Sequence, residues 1–183
     1  SAPVGKRVAI VQSNYIPWKG YFDLIAAVDE FILLDEVQYT KRDWRNRNLI
    51  KTAQGAQWLT VPVANKGRQM QLIDETEVSE PWAEQHWARI RHSYGRAPFF
   101  SAYESPVAGL YEAAAGLQHL SDINRLFLEG LCKLLNIGTP LVRSRDYASS
   151  GTKTEKLLTL CQSAKAASYL SGPSARNYLD EAA

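Results

Sequence analysis

The feature that most constrains the fold is a short apolar run of β-branched residues near the start of the chain, which a helical segment and a second apolar run follow. Residues 7–12 read RVAIVQ, which is typical of a buried strand. Polar residues and a proline then indicate a turn into a helix with Phe22 and Ile25 on one apolar face. Residues 31–34 form the second apolar run. This order predicts a βαβ unit with two neighbouring parallel strands.

The remainder of the chain alternates in a similar way. We predict a basic irregular loop over residues 38–52, strands over 58–63 and 70–78, and helices over 80–94, 104–115 (approximately) and 122–135, the last with Ser121 as its N-cap. A strand at 140–143, a helix at 154–166 and a strand at 167–170 predict a second βαβ unit. No repeat or linker interrupts residues 1–183. We therefore expect one α/β domain, with a mostly parallel sheet built from βαβ units and helices packed around it.

Composition narrows the class of protein. The chain has 183 residues and is 45% hydrophobic, so it can bury a core without disulfides or metals. It contains no apolar run near the roughly 20 residues that span a bilayer, and residues 1–7 lack the apolar core of a signal peptide. We therefore predict a cytoplasmic protein without a membrane span. The two cysteines and three histidines have no metal-ligand spacing, so no metal site is predicted, and the sequence leaves the cofactor and the oligomeric state open.

Polar residues cluster after three of the predicted strands. Parallel sheets bind ligands at the carboxyl ends of their strands, so these clusters are expected on one rim of the sheet. The candidate site residues are Gln12, Asn14, Tyr15 and Trp18 in the first cluster, Asp35, Tyr39, Lys41, Arg42, Arg47 and Asn48 in the second, and Ser171 and Gly172 in the third. Their convergence predicts a small-molecule binding site at that rim.

The second cluster carries the strongest chemical signal. Arg45 and Arg47 alternate with Asn46 and Asn48, and an aromatic residue, Trp44, stands beside them. Guanidinium and amide groups bind phosphate, carboxylate and sugar hydroxyls, and aromatic rings stack on flat ligands. A solvated surface loop is the alternative for the cations, as a packed turn is for residues 17–20 and a helix cap for residues 171–174. Nucleic-acid binding through residues 41–51 is the least favoured function, because the net charge is only +2.

Two titratable residues receive opposite interpretations. Asp35 follows an apolar strand and precedes Arg42 by seven positions, so a nearby cation could keep it ionised as a general base. Strand termination is the alternative explanation for its position. His86 shares a helical stripe with Trp82 and Ile90, which favours a structural role. The chain has no Walker A loop, no G-x-G-x-x-G and no G-x-S-x-G motif, so it offers no strong nucleophile.

Several ordered blocks make the chain resemble the WbqC-like family. Residues 11–23, VQSNYIPWKGYFD, are similar to the family's opening Q-P-N-Y-L-P-W-x-G-Y-F-D, with Ser13 where proline is usual. Residues 34–48 are similar to its D-x-V-Q-Y-x-K-R…N-R-N block, and residues 58–63, 82–86 and 169–179 match further blocks. The resemblance covers nearly the whole chain. Family members usually continue beyond the last block, so a further C-terminal segment is expected.

The resemblance implies a bacterial tailoring enzyme of surface-polysaccharide (O-antigen type) or natural-product biosynthesis. The expected reaction transfers an acyl or aminoacyl group to an amine, such as a nucleotide-linked amino sugar. Asp35 would deprotonate or orient the amine, Tyr15 and Trp18 would shape the pocket, and the other candidate residues would bind the substrate. The alternative is a non-catalytic binding module for nucleotide-sugar or glycan precursors. The opening is also distantly similar to nucleotidylyltransferases, although Trp18 and Tyr21 replace both histidines of their H-x-G-H motif.

Overall fold

A computed structural model describes residues 5–170 of the chain. These residues form, in order, β1 (Arg7–Val11), α1 (Lys19–Ala26), β2 (Glu30–Leu33), β3 (Arg47–Thr52), β4 (Gly55–Thr60), α2 (Ala83–Tyr94), α3 (Phe100–Ala114), α4 (Leu120–Leu134), β5 (Leu141–Arg143), α5 (Thr154–Ser163) and β6 (Ser168–Leu170). No helix in this part of the chain has the length and apolar character needed to cross a membrane.

The described residues group into two compact units. Unit 1 contains residues 5–13, 17–36 and 135–170, and unit 2 contains residues 14–16 and 37–134. The chain thus leaves unit 1 after β1 for three residues, and again between β2 and β5 for about a hundred residues. The single domain expected from the sequence stays a prediction.

Unit 1 is built on a parallel sheet of four strands in the order β5-β2-β1-β6. β1 pairs with β2 in parallel, with Val8 opposite Glu30 and Val11 opposite Leu33. β6 pairs with β1 and β5 pairs with β2, both also in parallel. The α/β class, the mostly parallel sheet and the neighbouring β1 and β2 are therefore confirmed. The strands of the second βαβ unit join the same sheet, but they occupy its two outer positions.

The core of unit 1 explains why β1 and β2 read as uninterrupted apolar runs. Strands in a parallel sheet are covered on both faces, so nearly every residue is buried. Val8, Ile10 and Ile32 pack with Leu160 and Ala164, which lie on α5 and at its C-cap. Because all four strands are parallel, their carboxyl ends share one edge of the sheet. Residues 12–13 and 34–36 follow β1 and β2 at this edge.

Unit 2 combines an antiparallel hairpin, β3 with β4, with the helices α2, α3 and α4. Its core includes Ile50 and Leu59 of the hairpin, Trp82, and Phe127 of α4. Fully buried Tyr15 belongs to the same core. Residues 14–16 are thereby part of unit 2, because the backbone N–H of Tyr15 also donates to the carbonyl oxygen of Trp44.

The predicted loop over residues 38–52 is wrong in its second half, where β3 forms. Asn48 and Ile50 face inward, while Arg47, Leu49 and Lys51 alternate with them, which is the period-2 pattern of a half-buried strand. The basic residues occupy the outward positions, and this gave the segment the composition of a loop. β4 begins at Gly55 rather than 58 and ends at Thr60, before Pro62, as expected for a residue that cannot donate to a ladder.

Three further boundaries differ from the predictions. Residues 70–78 do not form a strand; a short 3-10 helix occupies Ile73–Glu75, and the Glu75 carboxylate accepts the N–H of Leu72. Ser121 is not an N-cap, because α4 starts one residue earlier at buried Leu120. α3 starts at Phe100 and includes Pro106, a residue that normally marks a helix start. Stacking of Phe100 on Trp87 of α2 is the tertiary contact that favours the longer helix.

Candidate functional site

Asp35 follows β2 at the carboxyl edge of the parallel sheet, as predicted. Its side chain is buried, with 4% of its surface exposed, and Oδ1 accepts the backbone N–H of Ser13 at 2.9 Å. The carboxylate thus joins the segments that follow two neighbouring strands. This contact gives Asp35 a structural function at the strand ends, and the geometry also holds the carboxylate in one orientation. Whether Asp35 is catalytic stays a prediction.

A second carboxylate at the same edge forms an ion pair that the sequence analysis missed. Glu36 accepts a short hydrogen bond from Lys156 of α5 and lies 3.3 Å from Ser149 Oγ. Only 10% of the Glu36 side chain and 17% of the Lys156 side chain are exposed. Burial acts to raise the pKa of Glu36, but the hydrogen bond and charge of Lys156, together with Ser144 and Arg145, outweigh it and hold the pKa below its usual value. The pair fixes α5 to the edge of the sheet.

Gln12 and Trp18 occupy different kinds of position in unit 1. The Gln12 carbonyl oxygen accepts the hydroxyl of buried Tyr21 at 2.8 Å, so this backbone contact holds α1 against the end of β1. Trp18, which precedes α1 directly, is 61% exposed. Its indole is therefore accessible to solvent in unit 1. The role of shaping a pocket stays a prediction for Trp18.

Tyr15 lies in a buried hydrogen-bonded chain within unit 2. Its hydroxyl is 2.8 Å from His86 Nδ1 and 2.7 Å from the Tyr111 hydroxyl, and His86 Nε2 is 3.0 Å from the Thr60 carbonyl oxygen. Since a carbonyl oxygen only accepts, Nε2 carries the ring proton and Nδ1 accepts the Tyr15 hydroxyl. Tyr15 then accepts the hydroxyl of Tyr111. Every hydrogen bond in this series, from Tyr111 through Tyr15 and His86 to Thr60, thus has a defined donor and acceptor, which agrees with the structural role predicted for His86.

Burial sets the titration of this chain of groups. Desolvation raises the pKa of both tyrosines, Tyr15 and Tyr111, and neither hydroxyl ionises near neutral pH. Burial, together with the charge of Arg89, lowers the pKa of His86 from 6.5 to about 4, although the bond to Thr60 acts in the opposite direction. His86 is therefore neutral at pH 7. With no exposed surface, Tyr15 contacts neighbouring core residues rather than solvent.

Residues 14 and 45–48 form a cluster of amide and guanidinium groups, which we call the Asn–Arg cluster. Asn48 is satisfied: it donates to the Ile16 carbonyl at 2.6 Å and accepts the N–H of Leu49 at 2.7 Å. The other members leave buried polar atoms without a hydrogen-bond partner in the described structure: Asn14 Oδ1, Arg45 Nε, Asn46 Oδ1 and Arg47 Nε. A buried polar atom without a partner costs about 1–3 kcal/mol.

Arg47 also contacts the exposed aromatic side chains of unit 2. Its guanidinium carbon lies 3.9 Å from the centre of the Trp58 ring, and its Nη2 donates to the Arg42 carbonyl oxygen. Trp44 contacts Trp58 with ring centres 5.5 Å apart and planes inclined by 47°. The two indoles are 38% and 39% exposed. A cation and two partly exposed indoles therefore lie together in this unit.

The remaining candidates of the second cluster differ in how far they are buried. Tyr39 is buried, burial raises the pKa of its hydroxyl, and the charge of Arg47 partly offsets the shift. Lys41 and Arg42 are exposed, and Arg42 has a positive φ of 59°, a conformation that favours glycine. Its carbonyl is thereby turned to accept Arg47. The guanidinium of Arg42 remains in the solvated loop.

Unit 2 brings Asn14 and Tyr15 of the first cluster into the same unit as Asn48 of the second cluster. The contact between Asn48 and the carbonyl oxygens of residues 15 and 16 is the direct link. Ser171 and Gly172 lie outside the described residues. The convergence of all three clusters on one rim therefore stays a prediction. The sequence predicts Trp58 only as the start of a strand, and the contacts of its ring with Arg47 and Trp44 were not predicted. Its period-2 position opposite Leu49 is the signal that marks it as outward-facing.

A groove of about 820 Å³ lies elsewhere in unit 2 and contains none of the predicted residues. It is lined by residues 78–85 and 115–118 with Ala88, and its charged side chains are Glu80 and Glu84. Trp82, one wall of the groove, contacts His86 and Tyr15 in the core. The groove is acidic, whereas the Asn–Arg cluster is basic. The described residues contain no group of three His, Cys, Asp or Glu side chains that could hold a metal ion.

Comparisons with known proteins agree with the pattern of motifs. The family model of the WbqC-like protein family matches residues 12–183, from the first residue after β1 onward. The chain is 54% identical over 179 residues to an uncharacterized protein, Rv1507c, of Mycobacterium tuberculosis, and the match covers 96% of this chain and 76% of that protein. No solved structure matches the chain significantly, so the likeness to nucleotidylyltransferases gains no support. The chain belongs to the WbqC-like protein family.

Proposed function

We propose that this protein is a bacterial tailoring enzyme that transfers an acyl or aminoacyl group to an amine. The amine would belong to a nucleotide-linked amino sugar or a similar small molecule of surface-polysaccharide or natural-product biosynthesis. The observation that carries the proposal is the Asn–Arg cluster, whose buried donors Arg45 Nε and Arg47 Nε have no acceptor within the described structure. Charge-assisted hydrogen bonds to a carboxylate or phosphate would satisfy such donors.

The proposed reaction follows from what each group can do. The amine nitrogen attacks the carbonyl carbon of an activated acyl donor, a thioester or acyl phosphate, and the carbon–nitrogen bond forms as the bond to the leaving group breaks. The amine proton passes to the Asp35 carboxylate and from there to the leaving group. Arg47, with Arg42 and Asn14, would hold the anionic part of a substrate. The hydrogen bond from the Ser13 N–H helps to fix the orientation of the Asp35 carboxylate, which proton transfer requires.

Binding of inorganic pyrophosphate, measured by calorimetry, tests the anion site. We expect Arg47→Ala to weaken binding by about 1.5–3 kcal/mol, the scale of a charge-assisted hydrogen bond. Arg47→Lys should recover only part of this loss, because it keeps the charge without the planar fork. Arg91→Ala, on the exposed surface of α2, is the matched control for loss of a positive charge. If the folded Arg47→Ala variant binds pyrophosphate as tightly as wild type, Arg47 does not bind the anion, and the solvated-loop interpretation of this residue applies.

Turnover tests the role of Asp35. Nucleotide-linked amino sugars are incubated with acyl thioesters, and the acylated product is followed by mass spectrometry. Asp35→Asn should keep near wild-type stability, because its amide oxygen can still accept the Ser13 N–H, and should lose at least about a hundredfold in turnover. Unchanged turnover would leave Asp35 with the structural contact alone. An amino sugar that binds through Arg47 but is acylated by none of the donors would favour the binding module.

A further inference from the structure

We propose that Trp44 and Trp58 form a stacking platform for a nucleobase, so that the anionic ligand of Arg47 is a nucleotide. The inference rests on the proposed anion site and adds the residues that would bind the base of a nucleotide there. It starts from two indoles that contact each other at the surface of unit 2 and that each expose more than a third of their area. Large aromatic side chains are usually buried in a core, and an exposed pair is typical of a binding surface.

The positions of the platform residues are fixed by the fold. The Trp44 backbone is held on both sides, because its N–H donates to Asp43 Oδ1 at 2.8 Å and its carbonyl accepts the N–H of Tyr15 at 3.2 Å. Trp58 lies in β4, and its carbonyl accepts Arg89 Nη1 from α2 at 3.1 Å. The contact between the two rings, and the contact of Arg47 with the Trp58 ring, also limit rotation of the indoles. The platform is therefore organised before a ligand arrives.

Positive charges flank the platform in a regular way. Leu49 stands opposite Trp58 in the hairpin, so Arg47 and Lys51 are the diagonal neighbours of Trp58 on the same face. Arg47 already covers part of the Trp58 ring, at 3.9 Å from the ring centre. A phosphate bound by these cations would lie next to an aromatic surface. A nucleotide combines such a charge and a flat ring in one molecule.

Two amide side chains of the Asn–Arg cluster also have unused hydrogen-bonding capacity. Asn46 is 5% exposed, and its Nδ2 donates to the Val61 carbonyl at 2.9 Å while its Oδ1 has no partner in the described residues. Asn14 Oδ1 is in the same condition. Unmatched amide oxygens together with unmatched guanidinium N–H groups suit a ligand that has both donors and acidic oxygens. Ribose hydroxyls and phosphates provide these, whereas a purely apolar ring does not.

Tryptophan fluorescence provides a direct readout of the stacking. The full chain is titrated with uridine 5′-monophosphate and, in parallel, with ribose 5-phosphate, which has the same phosphate and sugar but no base. We expect the nucleotide to quench fluorescence and to bind about tenfold tighter than the sugar phosphate, within the range known for one stacked base. Trp44→Leu should remove this advantage and leave the affinity for ribose 5-phosphate unchanged. Trp44→Phe should restore much of it.

Phe99→Leu is the matched control, since Phe99 is also an exposed aromatic residue of unit 2 and lies outside the Asn–Arg cluster and the platform. Melting temperatures establish that each variant is folded. Equal affinity for the nucleotide and the sugar phosphate, each dependent on Arg47, would overturn the platform and leave the anion site intact. Absence of binding by both ligands would overturn the two proposals together. An affinity for oligonucleotides that grows with their length and falls steeply with salt would overturn the nucleotide ligand in favour of nucleic acid.

Discussion

Acidification should destabilise the protein through one buried histidine, His86. Its pKa is lowered from 6.5 to about 4, first by burial and then by Arg89. Between these values the unfolded chain binds a proton that the folded chain does not, so the free energy of unfolding falls as the pH falls. A proton on Nδ1 would also remove the acceptor of the Tyr15 hydroxyl. The contribution is complete above pH 6.5 and lost as the pH falls towards 4.

The magnitude follows from the two pKa values. At pH 4.5 the unfolded histidine is almost fully protonated, whereas the folded one is protonated in about a quarter of the molecules. This difference amounts to about 2.5 kcal/mol of stability lost relative to pH 7. That is a large share of the 5–15 kcal/mol typical of a folded domain. Other groups titrate in the same range, so wild type alone would not isolate His86.

Urea denaturation of wild type and His86→Gln at pH 7 and pH 4.5 isolates the effect. The variant lacks the ring and its two hydrogen bonds, and it should lose about 1–3 kcal/mol at pH 7. Between pH 7 and pH 4.5 the stability of wild type relative to the variant should fall by about 2.5 kcal/mol, so that the two proteins become about equally stable or exchange order, because only wild type is destabilised by protonation of this site. His92→Gln, on the exposed surface of α2, controls for removal of a histidine. A gap of equal size at both pH values would refute the buried, neutral His86.

Two further substitutions test contacts that hold each unit together. Tyr111→Phe keeps the ring in the core but removes the donor to Tyr15, so it should lower the free energy of unfolding by about 1–2 kcal/mol in urea denaturation. The control is Tyr103→Phe, which changes an exposed residue of α3. A loss for Tyr111→Phe no greater than the loss for Tyr103→Phe would contradict this prediction. Lys156→Ala removes the partner of the largely buried Glu36 carboxylate and should lower the free energy of unfolding by about 1–3 kcal/mol. Lys19→Ala breaks an exposed i,i+4 pair with Asp23 and should lower it by less than about 0.5 kcal/mol. Equal costs for the two lysines would show that burial of the ion pair adds nothing.

The parallel sheet was predictable because its signal is local. Residues 8–11 and 31–33 form continuous apolar runs, and such runs mark strands that are covered on both faces. The pairing of β1 with β2 then followed from the single short helix between them. The outer positions of β5 and β6 were not predictable in this way, because about a hundred residues separate β2 from β5.

The contacts of the candidate site were less predictable for the same physical reason. His86 is separated from Tyr15 by 71 positions, and no local period connects the two residues. Trp44 and Trp58 meet only because β3 forms, and the basic outward residues of β3 concealed the alternation that would have revealed it. Asp35 was placed correctly at a strand end, since strand ends are a property of local sequence. Its contact with Ser13 depends on the pairing of two strands and required the fold.

The sequence blocks that resemble the WbqC-like family contain two kinds of polar residue. One kind is fully hydrogen-bonded within unit 2, and the other keeps buried atoms without a partner in the described structure. Tyr15, Asn48 and His86 have partners within unit 2, so the stability of the fold is sufficient reason for their presence. Arg47 and Asn46 retain buried atoms that no described residue satisfies, and keeping such atoms in a folded protein costs stability. A cost of this kind is expected where a ligand restores the missing bonds. Substitutions that remove function without lowering stability are therefore expected among residues 44–47 rather than at Tyr15 or His86.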